Sequence, residues 1–191
     1  TFLLEYGVGT CYSTDIVTVT IDPLPVITIS SDETFCGNLG EVSLISPVPN
    51  GGYWFGDNVV DPTLGIVNTN VTQGNYEYFY TYTDPVTTCS DTIAHQVSIF
   101  PVPVSLFSTD TLGCNNINYP FEQLSTGATE FEWYLGNGEV SDASTPDYIY
   151  PDIGTYVVTL FASNFWGCMD TSNVNIEVTE LPVPNFIMST E

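Results

Sequence analysis

Lysine and arginine are missing altogether: the 191 residues hold 23 Asp and Glu, one His and no Lys or Arg, a formal net charge of −23. Soluble proteins average about 25% charged residues shared between both signs, so the loss of one sign is a property, not drift. A chain without cations cannot neutralise phosphates, which excludes nucleic acid as a partner. It equally lacks the basic cluster that draws a protein to anionic membranes. No Lys/Arg–carboxylate pair can form, so the fold must rest on apolar burial, backbone pairing and disulfides. No apolar run approaches the roughly 20 residues of a membrane helix, so no insertion into a membrane is expected. The opening Thr1-Phe2-Leu3-Leu4-Glu5 has no basic n-region, so the chain reads as starting in mid-protein. Sustained helical periodicity is absent. With no C-x-x-C and a single histidine, a zinc site is not expected. No Ser/His/Asp, Cys/His or Gly-rich phosphate constellation occurs either, so no catalysis, no catalytic residue and no cofactor are expected.

What is present is apolar and repetitive. Hydrophobic residues make up 43% and aromatics 14%, enough for packed cores. Cys11, Cys89 and Cys168 are spaced by 78 and 79 residues, and Cys36 and Cys114 by 78. Each cysteine of the first set precedes an alternating strand that ends in Pro-x-Pro: Ile21-Asp22-Pro23-Leu24-Pro25, Ile99-Phe100-Pro101-Val102-Pro103 and Glu180-Leu181-Pro182-Val183-Pro184. Proline stiffens the chain and removes ladder donors, so these read as short hinges. They define whole modules at 23–101 and 102–181, with 1–22 as the last strands of a preceding module and 182–191 as the first strand of a following one. Trp54 lies 18 residues after Cys36, and Trp133 lies 19 after Cys114. Gly74-Asn75-Tyr76 and Gly154-Thr155-Tyr156 each open a period-two run. Short β-rich runs with frequent turn signals predict antiparallel β-sandwiches, and the stiff hinges predict them end to end with few contacts across residues 100–104.

The second module carries a family signature. Phe131-Glu132-Trp133-Tyr134-Leu135-Gly136-Asn137-Gly138 resembles the W-x-F-G-D-G motif of PKD (polycystic kidney disease-type) domains, with Leu135 for the Phe and Asn137 for the Asp. Tyr150-Pro151-Asp152-Ile153-Gly154-Thr155-Tyr156 is similar to that family's Y-x-x-x-G-x-Y segment. Gly51-Gly52-Tyr53-Trp54-Phe55-Gly56 of the first module resembles a sister group of bacterial Ig-like repeats. The resemblance implies tandem Ig-like, PKD-type sandwiches on a large secreted surface protein or adhesin, with a spacer or adhesive role.

The five cysteines suit an oxidising compartment. The repeat favours Cys36–Cys89 and Cys114–Cys168, one bridge per module, with Cys11 unpaired. The rival scheme, Cys11–Cys36 and Cys89–Cys114, spans each hinge, and sequence alone does not fix connectivity. His95 falls in the slot of Val17 and Ile176, an inward strand position. Trp54 and Trp133 read as core anchors. The stripe Tyr76, Tyr78, Tyr80 and Tyr82 reads as a core face. Phe165 and Trp166, in a turn between strands, read first as local packing; if any residue meets a glycan or a partner chain, it is this pair. Acidic spots at Ser31-Asp32-Glu33 and Ser108-Thr109-Asp110 suit Ca²⁺ chemically but lack a D-x-D-x-D-G loop, so a solvated acidic surface is the expectation.

The chain therefore reads as a structural or adhesive segment of an extracellular surface fibre. Its expected partners are neighbouring modules, other copies in a fibre or a cell-surface glycan. A carbohydrate- or protein-binding accessory module of a secreted hydrolase is the alternative.

Overall fold

A computed structural model describes residues 1–184. Those residues are all β, as the alternating runs predict. Nine strands lie before residue 101: β1 Phe2–Val8, β2 Cys11–Val17, β3 Glu33–Cys36, β4 Glu41–Ser43, β5 Tyr53–Phe55, β6 Val59–Asp61, β7 Ile66–Asn68, β8 Gly74–Thr83 and β9 Ser90–Phe100. Nine more follow: β10 Phe107–Ser108, β11 Leu112–Cys114, β12 Asn118–Pro120, β13 Glu122–Gln123, β14 Glu130–Tyr134, β15 Val140–Ser141, β16 Asp147–Ile149, β17 Gly154–Ser163 and β18 Met169–Thr179.

The chain divides into two compact units. The first comprises Thr1–Glu33, Glu41–Asn68 and Tyr76–Val97; the second comprises Thr34–Gly40, Thr69–Asn75 and the described residues from Ser98 onward. The second unit thus takes in two segments that the sequence repeat assigns to the earlier module. Among the sheets, β3-β9-β8-β5 and β4-β7-β6 recur as neighbours in that order, while β1 and β2 form a separate hairpin. The inward residues of the long strands build the first core: Trp54, Tyr78, Tyr80 and Val97 are buried with Leu44 and Val67. Two of the four stripe tyrosines are fully engulfed, which confirms the core face. The Tyr80 hydroxyl donates to Pro49 O at 2.9 Å and accepts from Gly52 N–H at 2.7 Å. A side chain at position 52 would collide with that phenol, so the sequence Gly51-Gly52 is required there.

In the second unit a five-stranded sheet, β11-β18-β17-β14-β15, is accompanied by the ladders β10-β13 and β12-β16. All of its neighbours but one are antiparallel; β11 runs parallel to β18. Trp133 is wholly buried among Phe107, Phe121, Leu135, Tyr150, Leu160 and Ile176. Its indole N–H donates to Ala143 O at 2.9 Å, so the large apolar ring enters the core without an orphaned donor.

The motif residues close the turn that follows Trp133. Leu135 N–H donates to Glu139 O at 3.0 Å, and Asn137 Oδ1 accepts from Glu139 N–H at 3.1 Å. Gly136 has φ +83°, and a Cβ there would lie 2.8 Å from the Val157 backbone, so only glycine fits. Asn137 at the family's Asp position keeps the turn, and its Nδ2 also donates to the Tyr148 hydroxyl at 2.6 Å. Tyr150 sits under this turn and donates to Leu135 O at 2.8 Å. Burial, then the neighbouring phenols Tyr148, Tyr156 and Tyr119, push its hydroxyl far above the ordinary tyrosine range.

Candidate functional site

In the second unit, the turn joining β17 to β18 is built on Asn164, which is buried. Its Oδ1 accepts from Trp166 N–H and Cys168 N–H, each at 3.1 Å, and its own N–H donates to Cys168 O at 3.0 Å. Gly167 turns the chain with φ +79°. A short polar side chain followed by glycine is the sequence signal for such a turn. Asn164 Nδ2 also donates to Pro101 O at 2.8 Å, fixing the turn against the Pro-x-Pro segment.

This turn presents Phe165 and Trp166, the aromatic pair singled out in the sequence. Phe165 is 86% exposed. Trp166 is half-exposed because its ring stacks on Phe100, centroids 5.2 Å apart and planes 14° apart. The two candidates thus differ: Trp166 stacks on Phe100, while Phe165 meets only the edge of Trp166, centroids 6.3 Å apart, and is otherwise exposed.

Cys168 in the same turn is bonded to Cys36, with an S–S distance of 2.02 Å and a sequence separation of 132. Cys11, Cys89 and Cys114 are free thiols. The expected bridges Cys36–Cys89 and Cys114–Cys168 are therefore not formed, nor are Cys11–Cys36 and Cys89–Cys114. Strand length explains why one bridge per module fails. Cys36 lies beside the far end of β9, where Gly37 N–H donates to Phe100 O at 3.0 Å, whereas Cys89 immediately precedes Ser90 at its start. The eleven residues of β9 separate the two. At about 3.3 Å per residue that is roughly 35 Å, far beyond the 4.4–6.8 Å Cα separation of a disulfide. Cys114 and Cys168 are likewise at opposite ends of β18, since Cys114 pairs with Thr179 while Cys168 precedes Met169.

The remaining candidates are structural. His95 is buried with its Nε2 2.8 Å from Glu33 Oε2, and it meets Trp54 edge-on at 5.7 Å. The same Glu33 oxygen accepts from Ile45 N–H at 2.9 Å. Glu33 is thus occupied, and the expected acidic spot at Asp32-Glu33 is half consumed by the fold. Ser108, Thr109, Asp110, Pro120 and Glu122 line a shallow open groove, with Ser108 Oγ donating to Glu122 Oε2 at 3.3 Å. Among the described residues, no group of three or more His, Cys, Asp or Glu converges. Sequence reading missed Glu33 as the partner of His95 and Phe100 as the platform for Trp166.

The second unit has a buried Trp in β14, a glycine turn after it and a tyrosine under that turn. Residues 107–178 match the PKD domain family. The PKD1 domain of Vibrio cholerae metalloprotease PrtV is 27% identical over 41% of this chain and 98% of that one, with a TM-score of 0.37. The PKD1 domain of Vibrio anguillarum Epp is 24% identical over 42% and 96%, with a TM-score of 0.38. A structure of promiscuous carbohydrate-binding modules of the β-sandwich superfamily is 24% identical over 41% of this chain, with a TM-score of 0.40; the match spans only 35% of that chain. No curated protein matches the chain. The PKD match and the Ig-like architecture agree with the resemblance carried by Trp133, Gly136, Gly154 and Tyr156.

Proposed function

We propose that this chain is a structural segment of an extracellular surface protein, in which β-sandwich modules are strung end to end as a spacer or adhesive stalk. The observation that carries this reading is the double use of one frame. The same order of cysteine, core tryptophan, glycine-led strand and Pro-x-Pro occurs twice, with Trp54 and Trp133 each at the centre of its own core. The disulfide supports an oxidising location. The module bounds on this reading are 23–101 and 102–181, and no residue acts as a catalyst.

Two measurements test it. A compact chain of 191 residues has a radius of gyration of about 16 Å. Small-angle scattering should give a clearly larger value with an elongated pair-distance profile, and a value near that compact figure would overturn the end-to-end arrangement. Antibodies against the chain should stain unpermeabilised source cells, and a glutamyl endopeptidase should strip the signal. Staining only after permeabilisation would overturn the surface location.

A second reading, an accessory module that binds carbohydrate or protein for a secreted hydrolase, is favoured by one observation: Phe165 stands 86% exposed at a rigid turn. A glycan array decides it. Binding that disappears in Phe165→Ala supports this reading, and no binding by the wild type rejects it for glycans.

A further inference from the structure

The Cys36–Cys168 bond joins two cysteines of different kinds. Cys36 and Cys114 occupy equivalent sites, 78 residues apart, beside the end of the last strand of a repeat. Cys89 and Cys168 occupy the other kind of site, immediately before that last strand begins, and Cys11, at the same spacing, opens β2. The observed bond therefore runs from the strand-end cysteine of one repeat to the turn cysteine of the next.

The surroundings of both halves recur at the free thiols. Beside Cys36, Gly37 N–H donates to Phe100 O at 3.0 Å, just ahead of Pro101-Val102-Pro103. Beside Cys114, Asn115 N–H donates to Thr179 O at 2.8 Å, just ahead of Pro182-Val183-Pro184. Asn115 Oδ1 also accepts from Leu181 N–H at 3.0 Å, holding the outgoing linker beside Cys114. At the turn sites, Asn164 N–H donates to Cys168 O at 3.0 Å and Asp84 N–H donates to Cys89 O at 2.9 Å. Asp84 Oδ1 accepts from Val86 and Thr87 N–H, where Asn164 Oδ1 accepts from Trp166 and Cys168 N–H. Cys89 and Cys114 are both partly exposed thiols. Neither can bond within its own repeat, for the strand-length reason that separates Cys36 from Cys89.

We infer that Cys114 is half of a disulfide to the turn cysteine of a following repeat of this kind, and Cys89 half of a disulfide to the strand-end cysteine of a preceding one. An array of such repeats is then stapled covalently, each repeat to the next. Each staple forms one S–S bond from two thiols; the two electrons and two protons pass to a disulfide oxidant such as oxidised glutathione, which is reduced to two thiols. The inference rests on the repeat and the observed bond, and it stands whether or not the array is a surface stalk.

The test is the full chain with residues 102–181 duplicated in tandem, oxidised in a glutathione buffer. The parent chain has three free thiols. The lengthened chain gains two cysteines, and the staple consumes one added cysteine together with Cys114, so titration in denaturant should still read three. One bridge within each repeat would instead leave one free thiol in both chains. The added copy carries Ile117→Val and Val157→Ile as mass tags, at two exposed positions. Asp- and Glu-specific digestion without reduction, then mass spectrometry, should link the untagged Cys114 peptide to the tagged Cys168 peptide, with Cys36 linked to the untagged Cys168 peptide. An untagged Cys114–Cys168 link, a Cys89–Cys114 link, a missing Cys36–Cys168 link, or five free thiols would each overturn the inference.

Discussion

Phe100 and Trp166 stack nearly face to face, with ring centroids 5.2 Å apart, one ring on each side of the Pro101-Val102-Pro103 segment in sequence. The stack removes apolar area from water at a turn that is otherwise exposed. Trp166→Ala should therefore destabilise the second unit by about 1–2 kcal/mol. Phe165→Ala, one residue away at an 86% exposed ring, should change stability by less than about 0.5 kcal/mol. Urea melts followed by circular dichroism separate the two. Equal losses would mean that Phe165 also packs.

The bridge should matter more than either ring. Closing so long a loop constrains the unfolded chain, so Cys36→Ser with Cys168→Ser should lower stability by about 2–5 kcal/mol. Cys89→Ser and Cys114→Ser, at free thiols, should each stay within about 0.5 kcal/mol. Denaturant midpoints with and without reductant provide the check: reductant should move the wild type and leave the double variant where it was.

Much of this was legible beforehand, and the division follows from range. Trp54, Trp133 and the strands led by Gly74 and Gly154 were found because period-two burial and a repeated frame are local signals, and both strands begin at those glycines. The cysteine pairing was not found. It depends on which end of an eleven-residue strand each thiol occupies, and spacing in sequence does not carry that. His95 was placed inward correctly, but its partner Glu33 lies 62 residues away with no local mark. For Trp166 the sequence reads local packing ahead of ligand contact, and the stack on Phe100 agrees, but the partner is not legible because nothing in Phe100's own strand marks that contact.

Trp133 is the sharpest test of the second core. Trp133→Ala should lower stability by about 3–5 kcal/mol, by removing a wholly buried ring and leaving a cavity among Phe107, Phe121 and Leu160. Trp133→Phe keeps most of the volume but leaves the Ala143 carbonyl without its indole donor, and should cost about 1–3 kcal/mol. Chemical denaturation ranks the pair, and a phenylalanine variant as weak as the alanine one would show that the hydrogen bond outweighs the packing.

Stability should also fall at alkaline pH. Burial raises the Tyr150 hydroxyl above its ordinary value of 10.0, and Tyr78 and Tyr119 are raised first by burial as well. A group whose folded value is raised contributes stability that is complete below the unfolded value and is lost as pH climbs towards the folded one. Melts should therefore weaken above about pH 10. At the acid end the sign reverses for Asp84, held below its model-peptide value by N–H donors from Thr87 and Val86, and for Asp61, held down first by the Thr63 hydroxyl. Their contribution is present above about pH 4 and disappears on further acidification. Tyr150→Phe should flatten the alkaline slope, and an unchanged slope would assign it elsewhere.

Net charge gives the last prediction. With 23 carboxylates, one histidine and no other cationic side chain, nearly every charge repels its neighbours, and His95 is the single side chain able to offset one. Salt shortens the Debye length from about 30 Å at 0.01 M to about 10 Å at 0.1 M, so modest NaCl should relieve that repulsion. The melting temperature should rise with salt, by about 2–4 °C for each kcal/mol recovered, which is the reverse of a protein held by surface ion pairs. Mild acid should act in the same direction at first, until Asp61 and Asp84 begin to protonate. Near the pI of about 4.1 the lost colloidal repulsion should bring molecules together instead. Excluded-salt effects also stabilise proteins at high concentration, so the series belongs between about 10 and about 500 mM NaCl, where screening changes most. A parallel CaCl₂ series at matched ionic strength separates screening from ion binding, because equal gains in both salts mean screening alone. A midpoint that stays flat or falls across the NaCl series would show that like-charge repulsion does not limit this fold.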